Sequence, residues 1–242
     1  LAISYEFYKK GIPLVGVPKT IDNDIVGTTN CFGFDTAVSF ATDAIDRLHT
    51  TAEAHRRIMV VEVMGRYAGW IALWAGIAGG ADAILIPEIP FDICRVAERL
   101  RERDKWGAKF SIVVVAEGAF PKGGSHSLIE EAHDAHLERL GGIGAKVCEA
   151  LARETGKQTR SVVLGHLQRG GAPTSFDRVL ATRFGANAVD LIRRGHFGVM
   201  VASDPPDIVP RPLAEIVGKT KTVPLDSDYL LTAKALGVTF GD

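Results

Sequence analysis

The chain has 242 residues, of which 46% are hydrophobic and 24% charged, with a formal net charge of −1. This balance is typical of a soluble globular protein of one large or two smaller domains, and the near-neutral charge argues against broad electrostatic binding to nucleic acid. No apolar stretch is long enough to span a bilayer and no signal peptide is recognisable, so no membrane partner and a cytoplasmic location are expected. Cys31, Cys94 and Cys148 are widely spaced and are expected to be reduced core thiols.

Apolar runs alternate with helical periodicity along the chain, which indicates an α/β protein with mainly parallel sheets and right-handed crossovers. The segment 118–134 is interpreted as a surface excursion and the proline-rich stretch 204–212 as a connection. The predicted strands are 13–17, 58–63, 83–86, 110–116, 161–164 and 199–202. The predicted helices are 35–48, 67–77, 92–106, 143–153 and 175–193.

The most informative segment is 18–24, which reads Pro-Lys-Thr-Ile-Asp-Asn-Asp and follows the first predicted strand. In open parallel sheets, ligands bind at the carboxyl ends of the strands. Lys19 offers a cation that attracts phosphate, and Asp22 and Asp24 are candidates for a general base and a metal ligand. The alternative is an ordinary turn, because Asp and Asn favour turns for local hydrogen-bonding reasons.

Further polar clusters follow three other predicted strands. Met64, Gly65 and Arg66 follow the second strand, where glycine and arginine at a predicted helix N-terminus suit an anion. Arg66 could instead be a surface ion-pair residue. Glu117 follows the fourth strand, and a glycine-flanked turn at 165–171 follows the fifth. The coincidence of these groups at strand ends favours a ligand site.

Five segments carry a resemblance when they are taken together and in order. They are Pro-Lys-Thr-Ile-Asp-Asn-Asp at 18–24, Gly-Phe-Asp-Thr-Ala at 33–37, Val-Glu-Val-Met-Gly-Arg at 61–66, Ala-Glu-Gly at 116–118 and Gly-His-Leu-Gln-Arg-Gly-Gly at 165–171. The sequence resembles the 6-phosphofructokinase family from about Gly11 to its C-terminal end.

The resemblance implies three-layer sandwiches with mainly parallel sheets in two Rossmann-like domains, the first of them incomplete. Residues 1–33 and 168–225 would form the remainder of the first, donor-side domain. Residues 34–167 and 226–242 would form the second domain, which binds the sugar phosphate.

The resemblance also implies the chemistry, which is phosphoryl transfer to the C1 hydroxyl of fructose 6-phosphate in glycolysis. Asp22 matches the catalytic base that takes the hydroxyl proton, the recurring protein contribution to such transfers. Thr20 and Arg66 match residues that contact the transferred phosphoryl group. Asp24 matches a companion carboxylate near the metal and the sugar.

The remaining matches concern the acceptor. Met64, Gly65 and Glu117 match sugar-contacting positions, and a carboxylate can accept hydrogen bonds from sugar hydroxyls. His166 and Arg169 match the grip on the 6-phosphate.

Two further basic residues, Arg57 and Arg160, match positions that reach the 6-phosphate from a neighbouring subunit. Arginine suits this contact because its fork meets phosphate oxygens in pairs. The resemblance therefore implies a homo-oligomer, either a dimer or a tetramer.

The family's donor-binding Gly-Gly-Asp motif has no counterpart in the sequence, and it would lie just upstream of residues 2–10. The chain is therefore expected to be N-terminally truncated, with the main Mg²⁺ ligand upstream of residue 1, and to have little activity alone. A non-catalytic sugar-phosphate-binding fragment is one alternative, and a kinase for another sugar phosphate is a second.

Lys19 bears on the phosphoryl donor. It occupies a position where pyrophosphate-dependent members typically have lysine and ordinary bacterial ATP-dependent members have glycine. A fixed cation there would engage the donor phosphates and crowd a longer nucleotide. Pyrophosphate is the predicted donor, and ATP is the alternative.

Regulation by a nucleotide diphosphate is expected to be weak or absent, because the positions that match the family's effector site have lost much of their positive charge. These positions are His49, Asp82, Trp106 and Ala108. Two other groups are interpreted as solvent-exposed: the lysines Lys219 and Lys221, and a helix face with His133 and His136, for which metal binding is the weaker alternative.

Overall fold

The computed structural model describes residues 1–130 and 139–242. His133 and His136 lie outside the described residues. Within those residues, none of the helices is long and apolar enough to cross a membrane. The helices are α1 (Ala2–Lys9), α2 (Phe34–His55), α3 (Trp70–Ala78), α4 (Ile93–Lys105), α5 (Ile143–Thr155), α6 (Ser175–Arg193), α7 (Leu213–Ile216) and α8 (Asp228–Ala235). The strands are β1 (Val15–Gly16), β2 (Ile58–Val63), β3 (Ala83–Leu85), β4 (Ser111–Ala116), β5 (Leu128–Glu130), β6 (Arg139–Leu140), β7 (Thr159–Val163), β8 (Val199–Asp204) and β9 (Asp207–Pro212).

The chain divides into two compact units. The first unit comprises residues 1–37 and 171–221, and the second comprises residues 38–170 and 222–242.

The first unit has a sheet in the order β1-β8-β9, in which β1 runs parallel and β9 antiparallel to β8. Alternate residues of β8 enter two separate apolar clusters, as the period of a strand requires. Val201 packs with Leu180 and Phe184 of α6. Met200, on the other face, packs with Leu213 of α7. Helices therefore cover both faces of this sheet.

The second unit is built on a sheet in the order β3-β4-β2-β7, in which every pair is parallel. All six residues of β2 and all six of β4 are buried, as expected for parallel strands covered on both faces. Val60 and Val113 pack with Leu100 of α4 and Leu151 of α5 on one face. A short antiparallel pair of β5 and β6 stands apart from this sheet.

The proline-rich segment 204–212 differs from the predicted connection, because most of it forms β9. Val201 pairs with Pro210 and Val199 with Pro212. Proline cannot donate to a ladder but is tolerated on an edge strand such as this one.

The three cysteines are free thiols, but the prediction that all lie in the core is wrong for Cys94, which is exposed. Cys31 is buried and Cys148 is partly buried. Burial raises the pKa of Cys31 from its ordinary value of 9.0 to about 12.

Candidate functional site

In the first unit, the candidate base Asp22 lies on a segment that leaves β1 and leads to α2. Asp22 is only 5% exposed. Its backbone amide donates to the Thr20 hydroxyl oxygen at 3.1 Å, so these two candidate residues are adjacent. Lys19 is exposed, and its backbone forms an isolated parallel bridge with Phe32.

The side chain of Asn23 bonds to the backbone at the far end of this segment. Its backbone lies in the left-handed region at φ 52°, where asparagine is enriched among non-glycine residues. Its side-chain oxygen accepts the Cys31 amide at 3.0 Å, and its side-chain nitrogen donates to the Thr29 carbonyl at 3.4 Å. This structural role of Asn23 was not predicted from the sequence, although an amide between two carboxylates was a usable signal.

Lys221 holds the same segment from far along the chain. Its ammonium group donates to the carbonyls of Thr28 and Thr29, at 2.9 Å each. Its backbone amide donates to the Asp24 carbonyl at 2.8 Å. Burial lowers the pKa of Lys221 from 10.5 to about 8, against the opposing influence of Cys31 and Asp24. The expectation that Lys221 is a surface charge is therefore wrong, because its ammonium group is hydrogen-bonded to backbone carbonyls instead of to water.

The described residues do not contain a group of three or more His, Cys, Asp or Glu side chains that could enclose a metal ion. Asp24, two residues after Asp22, is half-buried. Carboxylate oxygen is a suitable ligand for Mg²⁺, which is commonly held by one or two carboxylates together with substrate phosphates. The Asp24 carboxylate is thus chemically suited to bind a magnesium ion for which other groups supply most of the ligands.

In the second unit, two candidate residues meet where β2 and β4 end side by side. The Arg66 amide donates to the Glu117 carboxylate at 3.1 Å, and the Glu117 amide donates to the Val63 carbonyl at 2.8 Å. Arg66 itself adopts a left-handed backbone with φ 51°. A strained backbone conformation of this kind persists only where surrounding contacts enforce it, and such residues are concentrated at functional sites.

The two turns touch through their backbones at Gly118. A Cβ atom at this position would lie 1.9 Å from the Arg66 carbonyl oxygen, so only glycine permits this approach. Gly65 has φ 142°, and a Cβ there would lie 2.5 Å from the Ala68 carbonyl oxygen. Met64 is buried at the end of β2.

His166 and Arg169 occupy a 3₁₀ helix at Gly165–Arg169, directly after β7, and both are exposed. The Leu164 amide donates to the Glu62 carbonyl at 3.0 Å, which joins this turn to β2. Because β4, β2 and β7 are adjacent and parallel, the structure brings Met64–Arg66, Glu117 and this 3₁₀ helix to one edge of the sheet.

Glu62 supports this edge from inside the sheet and was not identified from the sequence. It is only 4% exposed. Its carboxylate accepts the Gly142 amide at 3.2 Å and the Gly144 amide at 2.7 Å, at the N-terminus of α5. A carboxylate is the favoured partner for the unpaired amides at that end of a helix.

Arg57 and Arg160 lie at the opposite, amino-terminal edge of the same sheet. Arg57 directly precedes β2 and Arg160 is the second residue of β7, where Met59 is its register partner. The Arg57 guanidinium donates to the Gln158 side chain at 3.4 Å. Five strand residues span roughly 13 Å, so one chain does not bring this pair together with His166 and Arg169.

The predicted start of the helix at residue 67 is wrong, and Arg66 does not lie at the helix N-terminus. The helix α3 begins at Trp70, three residues later than predicted, after a turn at residues 66–67. The Gly69 amide at its N-terminus donates to the Glu88 carboxylate at 3.0 Å. Burial raises the pKa of Glu88, while its bonds to the Val223 and Gly69 amides oppose the shift.

Asp82, one of the positions that match the effector site, already has a cationic partner. Arg103 contacts its carboxylate at 2.7 Å. Burial raises the pKa of Asp82, and the Ile112 amide and Arg103 act against that shift.

With this geometry established, comparison with known proteins identifies the family. The phosphofructokinase (PFK) description matches residues 1–192. The chain belongs to the phosphofructokinase family. The predicted resemblance and the predicted mainly parallel α/β fold are thereby confirmed.

Relatives of this chain are named for both phosphoryl donors. It is 60% identical over 240 residues to the ATP-dependent 6-phosphofructokinase of Chloroflexus aggregans, covering 99% of this chain and 66% of the relative. It is 56% identical over 229 residues to the pyrophosphate–fructose 6-phosphate 1-phosphotransferase of Amycolatopsis mediterranei, covering 93% and 66%. The chain thus spans 66% of the length of these curated relatives.

The solved structure of phosphofructokinase from Saccharomyces cerevisiae matches with a TM-score of 0.74 and 34% identity. The match covers 85% of this chain and 26% of the yeast chain.

Proposed function

We propose that the enzyme containing this chain transfers a phosphoryl group to the C1 hydroxyl of fructose 6-phosphate and so forms fructose 1,6-bisphosphate. One observation carries the proposal beyond family membership. Three turns at the carboxyl edge of adjacent parallel strands present an arginine, a carboxylate and a His–Arg pair. Ligands of open α/β sheets bind at this edge.

In the proposed reaction, Asp22 accepts the proton of the attacking hydroxyl. Arg66, Thr20 and Lys19 stabilise the charge on the phosphoryl group as it passes between oxygens. Phosphoryl transfer needs little covalent chemistry from the protein, so positioning and electrostatic stabilisation are the main tasks. Asp24 would be a carboxylate ligand of Mg²⁺, which neutralises the donor phosphates when it is bound.

The acceptor is held by the turns of the second unit. Glu117 accepts hydrogen bonds from sugar hydroxyls while its other contact holds the Arg66 amide. Met64 and Gly65 line the sugar, and His166 and Arg169 bind the 6-phosphate. The exposed position of this pair leaves their donors available to a phosphate.

Arg57 and Arg160 are proposed to complete the 6-phosphate site of a second copy of the enzyme. Their place at the opposite edge of the sheet from His166 and Arg169 supports this assignment. A functional homo-oligomer, a dimer or a tetramer, follows from it. Arg160→Ala should then raise the KM for fructose 6-phosphate, and mixing it with an Arg169→Ala variant should restore some sites.

Pyrophosphate is the proposed donor because Lys19 adds an exposed cation three residues before the candidate base in the sequence. ATP is the second candidate, favoured by the 60% identical relative whose name is ATP-dependent. The deciding experiment assays the complete enzyme with fructose 6-phosphate, Mg²⁺ and each donor separately. A strong preference for ATP would refute the pyrophosphate assignment.

A Lys19→Gly variant sharpens this donor test, with the exposed Lys122→Gly as the matched control. Lys19→Gly should lower turnover with pyrophosphate by about tenfold or more, the scale of one lost charged contact. Lys122→Gly should keep the wild-type donor ratio. Binding of fructose 6-phosphate without turnover from either donor would favour the non-catalytic alternative, and faster turnover of another sugar phosphate would reassign the acceptor.

A further inference from the structure

The segment between Asp22 and Cys31 is tied at its two ends by a residue almost 200 positions later in the chain. Lys221 contributes three hydrogen bonds to it, one from its backbone amide and two from its ammonium group. The amide bond reaches Asp24, and the ammonium bonds reach Thr28 and Thr29. One residue therefore spans the turn that follows the candidate base.

The far end of this segment is itself fixed to the sheet of the first unit. The Ser203 amide of β8 donates to the Thr28 hydroxyl oxygen, and the Thr29 amide donates to the Ser203 carbonyl, both at 2.8 Å. Lys221 thus links Asp24 to a part of the segment that β8 holds in place. Charge-assisted bonds from a partly desolvated ammonium are stronger than neutral ones.

We propose that Lys221 is a positioning residue for phosphoryl transfer, because it fixes the segment that carries Asp22 and Asp24 relative to β8. Its task would be geometric, since its ammonium is occupied by the Thr28 and Thr29 carbonyls. Small displacements of a catalytic group can reduce turnover a hundredfold, so this constraint is expected to act on kcat. The inference rests on the proposed function.

The test compares Lys221→Met, Lys221→Arg and the exposed neighbour Lys219→Met in the complete enzyme. Lys221→Met should lower kcat by about tenfold or more while the KM for fructose 6-phosphate changes by less than about twofold. The KM should hold because the candidate sugar-phosphate residues Glu117, His166 and Arg169 belong to the second unit.

Lys221→Arg should recover most of the lost kcat, because a guanidinium can also donate to two carbonyls. Lys219→Met should behave as the wild type. A purely structural role would lower the melting temperature without this selective loss and rescue. Wild-type kcat in Lys221→Met, or a loss that Lys221→Arg does not repair, would overturn the inference.

Hydrogen exchange gives a second measurement that does not depend on turnover. Amide exchange in a peptide covering 24–31 should accelerate in Lys221→Met and stay unchanged in Lys219→Met. Unchanged exchange in Lys221→Met would overturn the positioning role even if kcat fell. Absence of wild-type turnover with both donors would instead overturn the proposed function, and the exchange data would still decide whether Lys221 holds the segment.

Discussion

In the second unit, the turns with Arg66 and Glu117 extend from two strands in which all six residues are buried. In the first unit, Asp22 and Asp24 follow a strand of only two residues. Their segment is held by a hydrogen bond that Asn23 accepts and by others that Lys221 donates. Hydrophobic packing therefore positions one set of candidate residues, and polar contacts position the other. Stability and turnover should consequently respond to different substitutions in the two units.

The largest expected effect is on the chemistry assigned to the first unit. Asp22→Asn should lower kcat by about a thousandfold, within the range for loss of a general base. The measurement is steady-state turnover of the complete enzyme with its preferred donor. The exposed Asp226→Asn is the matched control and should be fully active. Retention of more than a tenth of the wild-type kcat by Asp22→Asn would contradict the assigned base.

Removing core volume from the second unit should affect stability instead of chemistry. Leu100 is 2% exposed and packs in the apolar cluster with Val60 and Val113, so Leu100→Ala should lower the free energy of unfolding by about 2–5 kcal/mol. Turnover under native conditions should stay within about twofold, because the strands themselves are intact. Urea unfolding measures the first quantity, and the exposed Leu225→Ala is its control. A large loss of kcat in Leu100→Ala without loss of stability would contradict the view that packing in the second unit mainly sets stability.

A polar contact in the first unit should have a smaller effect on stability. The Asp177 carboxylate of α6 accepts the Thr36 amide in the first turn of α2 at 2.8 Å, and so caps a helix other than its own. Asp177→Ala should lower the free energy of unfolding by about 1–2 kcal/mol, the range for loss of a cap. Asp190→Ala removes an exposed ion pair on the same helix and should cost less than about 0.5 kcal/mol. Equal losses of unfolding free energy from the two substitutions would contradict a capping role for Asp177.

The smallest expected effect depends on pH. The folded pKa of Cys31 lies at about 12, above its ordinary value of 9.0. Above pH 9 the unfolded thiol loses its proton while the folded thiol keeps it, so stability falls as pH rises from 9 towards 12. The free energy of unfolding should drop by about 1 kcal/mol more between pH 9 and 10 in the wild type than in Cys31→Ala. Identical pH slopes in urea titrations of the two proteins would contradict this shift.

Much of the fold could be predicted because it follows from local patterns. The helix at 175–193 and the strand at 58–63 were predicted with the bounds that the structure shows. The helix has apolar residues at helical spacing, and the strand is a short apolar run with distinct ends. The strand β9 was missed because its antiparallel partner β8 cannot be read from a proline-rich segment by itself.

The candidate site divides in the same way. Local motifs placed Arg66, Glu117 and His166 at strand ends, which the structure confirms, while their roles stay predictions. Lys221 and Glu62 could not be assigned, because the atoms they contact lie about 80 to 190 residues away in the chain. A lysine near the end of a sequence has no local signature that separates a carbonyl-bound ammonium from a solvated one.

Under the proposed function, the close approach of Gly118 to the Arg66 carbonyl has a consequence for which acceptors can bind. There is no room for a methyl group between the two backbones. A displacement of the turn after β4 towards the turn after β2 would therefore move both turns. A bulkier acceptor that pressed on Glu117 would displace Arg66 as well. Enlarging the proposed sugar site would therefore require substitutions in both turns at once, so that a single substitution would not suffice to admit a larger acceptor.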